Sequence, residues 1–180
     1  AEGKFFTSGV STTIRPLMKK TLLGLSLLAS LGVLMAACGS DGGDDGCPTG
    51  QVTCDGVCID AVTPTLDGPN GVQAAVFSPS CTFSNCHGTE GAMQAGLELS
   101  SVAVSEANLV EVASTQVPSS LRVAPGDSGA SYLMNKILGV DIAAGTDRMP
   151  QNYAGIDLCD PQIDANRKWI ENGAETVPES

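Results

Sequence analysis

Two cysteines and the only histidine of the chain lie close together, at Cys81, Cys86 and His87. Four residues separate the two cysteines, and the histidine directly follows the second one. A fold that uses this motif must present two sulfur atoms and one imidazole ring on the same surface. The motif therefore constrains the fold more than any other stretch of the chain.

A cysteine pair followed at once by histidine is the attachment signature of c-type haem. Each thiol can form a thioether with one haem vinyl group, and the imidazole can then serve as the proximal iron ligand. The common signature has two residues between the cysteines, so the two extra residues here must bulge from the turn. The alternative is a disulfide between Cys81 and Cys86, with His87 as an ordinary surface histidine.

An export signal precedes this region. Residues 18–37 begin with Lys19 and Lys20, continue as a short apolar run and end in small residues, as secretory signals do. The run is shorter than a comfortable membrane span. Residues 34–38 resemble the lipobox of bacterial lipoproteins, which implies lipidation of Cys38 and a membrane anchor. We therefore expect a cell-envelope protein facing the periplasm or the cell exterior, and we treat residues 1–17 as an upstream segment.

Two further segments separate the signal from the main domain. Residues 38–46 are rich in glycine and aspartate, which predicts a flexible acidic tether. Residues 47–70 form a cysteine-rich segment and a linker. If Cys38 takes lipid and the motif takes haem, four cysteines remain for two disulfides, namely Cys47, Cys54, Cys58 and Cys159. Three disulfides after lipidation would satisfy the same count, so the number of cysteines does not discriminate between haem attachment and a third disulfide.

Residues 71–180 predict a small all-α domain of about four short helices with long loops. The candidate helices are residues 71–77, 102–112, 128–138 and 162–172. The last has the clearest limits, because Asp160 and Pro161 favour a helix start and Gly173 favours its end. No strand alternation of any length is evident.

A haem that transfers electrons needs a second axial ligand, and a chain with one histidine cannot supply two imidazoles. Methionine is the common substitute. Met93 is too near His87 in sequence to reach the opposite face, and Met134 lies in a helix, where methionine usually packs in the core. Met149 lies in a loop before Pro150 and is the preferred candidate, while an open site remains the alternative.

Taken together, residues 71–180 resemble the small c-type cytochrome-like domains of bacterial exported proteins. The resemblance rests on Cys81, Cys86 and His87, the loop around Met149, and the closing helix with Trp169. It implies covalent haem c, with Cys81 and Cys86 as thioether positions and His87 and Met149 as the iron ligands.

The chain has nine basic and 20 acidic residues, a formal net charge of −11. This balance argues against nucleic acid as a partner and favours a basic redox protein. The sequence thus predicts a membrane-tethered single-haem electron carrier rather than an enzyme. The alternative is a non-redox, disulfide-stapled extracellular lipoprotein that acts as a binding or scaffold module.

Overall fold

The computed structural model describes residues 46–89, 94–151 and 156–176, which belong to one compact unit. The expectations for the signal peptide, most of the tether and the lipidated Cys38 concern residues outside these ranges. The elements in chain order are strands β1 (Gln51–Cys54) and β2 (Val57–Asp60), a π-helical segment (Gln73–Phe77) that continues into α1 (Ser78–Ser80), then α2 (Val102–Leu109), α3 (Tyr132–Leu138) and α4 (Asp160–Glu171).

The all-α prediction is wrong, because β1 and β2 pair as an antiparallel hairpin. The cause is visible in the cysteine-rich segment. Asp55 and Gly56 both have positive φ, at 50° and 83°, as a tight two-residue hairpin turn requires. Valine, threonine and isoleucine dominate the flanking strands, and these residues favour strands. The sequence interpretation treated this stretch only as a cysteine-rich segment.

Two disulfides hold this hairpin, and they use the four cysteines that the haem interpretation left for the purpose. Cys47 bonds to Cys58 and closes the hairpin on itself. Cys54 bonds to Cys159 and joins β1 to the residue that precedes α4. The hairpin is therefore covalently attached to the helical part of the fold.

The limits of α4 lie within two residues of the prediction, whereas α2 ends three residues earlier and α3 begins four residues later than predicted. In α4, Pro161 lies in the first turn and Gln162 bonds back to the backbone of Cys159, which together define the helix start. Gly139 ends α3 with a φ of 71°, a left-handed conformation that glycine adopts at little cost. The buried faces of these helices meet in one core, where the rings of Phe77 and Trp169 pack edge to face with centroids 6.3 Å apart.

The segment expected to be a linker also packs. Leu66 is fully buried in the same core, and the partly buried Val62 packs against this core. The backbone of residues 65 and 66 accepts hydrogen bonds from Val72 and Gln73, at the start of the helical segment that leads to the cysteine motif. Over the three described ranges, none of the helices combines the length and apolar character that a bilayer span requires.

Candidate functional site

The cysteine motif begins where α1 ends. The amide of Cys81 still donates to the carbonyl of Phe77, so this cysteine is fixed to the helix. The chain then leaves the helical path, turns between Phe83 and Cys86, and returns so that the amide of His87 donates to the carbonyl of Cys81 at 3.0 Å. The residues between the cysteines thus form an outward loop, with Phe83 47% exposed.

Gly88 explains how tightly this loop closes. A Cβ atom at position 88 would lie 2.5 Å from the carbonyl oxygen of Thr82, far inside normal contact. Only glycine fits there, because the obstacle is backbone rather than a flexible side chain. The close approach holds His87 against the first half of the motif.

Cys81 and Cys86 are free thiols in the structure and are not bonded to each other. Burial, and next the neighbouring Cys86, raise the pKa of the Cys81 thiol to about 12. Cys81 is therefore protonated at neutral pH, and a protonated thiol is a poor nucleophile toward disulfides. The disulfide alternative for this pair has no counterpart in the structure.

Backbone contacts on both sides orient His87. Its Nδ1 lies 2.9 Å from the carbonyl oxygen of Leu97, and a carbonyl can only accept, so Nδ1 carries the proton. The carbonyl of His87 in turn accepts from the amide of Leu99 at 2.7 Å. This arrangement leaves Nε2 as the unprotonated nitrogen, which is the form that binds a metal.

The pKa of His87 is lowered, chiefly because burial disfavours the charged imidazolium. The hydrogen bond to Leu97 acts in the opposite direction, while the positive charges of Arg122 and Lys136 lower the pKa further. The neutral imidazole required of a ligand is therefore the favoured form.

Met149 reaches the same region from a distant part of the chain. Its amide donates to the carbonyl of Lys136 at 2.8 Å, and Arg148 Nε donates to the carbonyl of Ile137 at 3.1 Å. Arg148 also forms an ion pair with Asp157 at 2.6 Å. The two hydrogen bonds fix the loop to the end of α3, and the peptide bond between Met149 and Pro150 is cis.

Two adjoining cavities bring the predicted ligands together. One, of about 260 Å³, is lined by Cys81, His87 and Met149, and the other, of about 530 Å³, is lined by these residues and also by Cys86. Ligand sites usually occupy about 300 to 1,000 Å³ and have mainly apolar walls with a few polar groups. The apolar wall of the first cavity includes Val76, Phe77, Leu97, Leu99, Leu109, Leu133, Ile137 and Leu158.

The residues present fit a covalently attached haem. Two unpaired thiols, an imidazole with a free Nε2 and a thioether all border the second cavity, and all of them except the Cys86 thiol also border the apolar first cavity. Of the other candidate ligands, Met134 is buried in the core and lines neither cavity, and Met93 lies outside the described residues. Within the described ranges, no group of three or more His, Cys, Asp or Glu side chains is placed to hold a metal ion.

Sequence reasoning missed two basic residues that line the first cavity, Arg122 and Lys136. Each is only 8% exposed, although charged residues are normally on the surface. The only available signal in the sequence was that basic residues are scarce in this acidic chain, and that signal does not indicate which of them are buried. The polar end of Tyr132, also at this cavity, donates to Gln116 and accepts from the amide of Ala143.

Comparisons with protein-family models, with curated proteins and with solved structures find no match for this chain. The interpretation of the site therefore depends on the chain's own residues and their geometry.

Proposed function

We propose that this protein is a membrane-tethered, single-haem c-type cytochrome that acts as an electron carrier. The observation that carries the proposal is the environment of Cys81 and Cys86. They are free thiols beside the only histidine, and the cavities that they line also contain Met149, whereas Cys47, Cys54, Cys58 and Cys159 are all paired.

Bound haem would supply an iron atom that gains and loses one electron at a time. Cys81 and Cys86 would each add S–H across one vinyl double bond: a carbon–sulfur bond forms and the proton goes to the other vinyl carbon. His87 would bind through Nε2, oriented by the Leu97 carbonyl. Met149 would provide a neutral thioether, a ligand that favours the ferrous state, and the apolar walls would exclude water.

The setting follows from the sequence. Lipid on Cys38 would hold the domain at a membrane in the cell envelope, facing the periplasm or the cell exterior. Cleavage before Cys38 would leave five basic and 19 acidic residues, and the resulting formal charge of −14 would attract a basic redox protein and repel nucleic acid. We propose no enzymatic activity.

The first test is a visible spectrum of protein exported from a host that matures c-type haem. The spectrum is recorded in alkaline pyridine, and the protein is then extracted with acidified acetone. A thioether-type α band that stays with the protein supports the proposal. Colourless protein from this host would refute it and favour the disulfide-stapled lipoprotein.

A matched pair of variants tests the distal ligand. Met149→Leu and Met134→Leu both remove a thioether at nearly constant volume, but only the first residue lines the cavities. We expect Met149→Leu to lower the reduction potential by about 0.1 V or more, within the ~0.8 V range that axial ligands set. Met134→Leu should leave the potential unchanged. An equal response of the two variants would exclude Met149 as the ligand.

A further inference from the structure

Arg122 is a buried cation whose hydrogen bonds all go to backbone carbonyls. Its Nη1 donates to the carbonyl of Asn108 at 2.8 Å, and its Nη2 donates to the carbonyls of Ala95 and Gly96 at 3.0 and 3.1 Å. Neither ion pair found among the described residues includes it. A guanidinium carries its donors in a rigid planar fork, so it can hold several acceptors in a fixed arrangement.

The two carbonyls on Nη2 belong to a turn of unusual conformation. Ala95 and Gly96 have φ values of 58° and 63°. A residue with a Cβ atom is strained in the left-handed region and persists there only where its surroundings enforce it. The surroundings here are Arg122 and Thr115, whose hydroxyl also donates to the Ala95 carbonyl at 2.8 Å.

The residue after this turn is Leu97, whose carbonyl accepts the Nδ1 proton of His87. Arg122 itself is well anchored, because its amide donates to Val112 and its carbonyl accepts from Leu133 at the start of α3. A continuous set of contacts therefore runs from Arg122, through the turn, to the imidazole.

We propose that Arg122 is a positioning residue for His87, resting on the proposed function of that histidine as the proximal ligand. The guanidinium holds the carbonyls of Ala95 and Gly96, which fixes the direction of the next carbonyl, that of Leu97. The Leu97 carbonyl in turn fixes the tautomer and orientation of the ring. Hydrogen bonds to the non-ligating nitrogen of a ligand histidine control its orientation and basicity.

The test uses the fact that the chain has one histidine. Protein labelled with ¹⁵N-histidine gives one imidazole in the NMR spectrum, whose Nδ1–H exchange with solvent can be followed. We expect Arg122→Lys, which keeps the charge but loses the fork, to speed this exchange by about tenfold, equivalent to 1.4 kcal/mol. Thr115→Val, at an exposed position, should also speed the exchange of the Nδ1 proton, but by a smaller factor.

Lys136→Gln is the matched control. Lys136 lines the same cavity, but its ammonium group donates to the carbonyl of Asp147, and among the described residues no hydrogen bond joins it to the turn. If Lys136→Gln speeds the exchange as much as Arg122→Lys, the exchange responds to any change in the wall of this cavity and not to the contact between Arg122 and the turn, and the proposal fails. Unchanged exchange in Arg122→Lys also overturns it. If Arg122→Lys loses the native circular-dichroism spectrum, Thr115→Val decides, and unchanged exchange there overturns the proposal.

The outcomes of this test do not depend on whether the haem proposal is correct. The exchange measurement reports on His87 in the protein as purified, so colourless protein would refute haem attachment without affecting this test. In haem-loaded protein with Met149→Leu, the ferrous iron–histidine stretching frequency adds a second readout. Arg122→Lys should lower that frequency, because the hydrogen bond to Nδ1 strengthens the ligand.

Discussion

The two disulfides should contribute unequally to stability, because they close loops of very different length. Cys47 and Cys58 are 11 residues apart, whereas Cys54 and Cys159 are 105 apart. The loop-entropy relation gives about 2.8 kcal/mol for the short loop and about 4.8 kcal/mol for the long one. We therefore expect removal of the second bond to cost about 2 kcal/mol more than removal of the first.

The comparison requires two double variants, Cys47→Ala/Cys58→Ala and Cys54→Ala/Cys159→Ala. Each removes one deeply buried sulfur, since Cys47 and Cys159 are 2% and 6% exposed. The packing losses should therefore be similar, and the difference should report on the loops.

Urea unfolding followed by circular dichroism measures the effect. With slopes of about 1–3 kcal/mol per molar urea, the midpoint of the long-loop variant should lie about 1 M lower. Peptide mapping by mass spectrometry confirms the native pairing beforehand. Equal midpoints, or a lower midpoint for the short-loop variant, would refute the reasoning.

Three further predictions concern the motif, the Met149 loop and the partner. Gly88→Ala should clearly lower the melting temperature, because the new methyl group would lie 2.5 Å from the Thr82 carbonyl oxygen. The control Gly129→Ala should be nearly neutral, because its methyl group would meet its nearest atom only at 3.4 Å. Similar melting temperatures of the two variants would contradict the close approach at Gly88. Asp157→Asn should cost less than about 1 kcal/mol in urea unfolding, since its ion pair with Arg148 is nearly half exposed, and a larger loss would show that the pair holds the loop. The association rate with a basic redox protein should fall steeply with added salt in stopped-flow measurements, and a salt-independent rate would exclude electrostatic steering.

Local patterns predicted the limits of α4 better than those of α2 and α3. Pro161 and Gly173 set the limits of α4 because their effects depend on neighbouring residues alone. The hairpin was missed because strands this short give little periodicity, and the cysteines within them drew the interpretation toward disulfides. Asp55 and Gly56 were the signal that could have identified it.

The candidate site likewise contains some residues that the sequence could identify and others that it could not. Cys81, Cys86 and His87 were identifiable because adjacent residues carry the chemistry. The sequence favoured Met149 over Met134 only because Met149 lies in a loop. In the structure Met149 lines both cavities. The carbonyl of Leu97 and the burial of Arg122 had no sequence signal, because one is a backbone atom and the other depends on tertiary packing.

The hydrogen bond between the amide of His87 and the carbonyl of Cys81 bears on how such proteins are recognised. It closes the loop at its base, so the position of the imidazole depends on the two ends of the loop and not on the number of residues between them. We therefore expect insertions between the cysteines to leave the histidine in place. Searches that require a fixed spacing would overlook chains of this kind, whereas a search for a cysteine carbonyl that accepts a hydrogen bond from a histidine amide would find them.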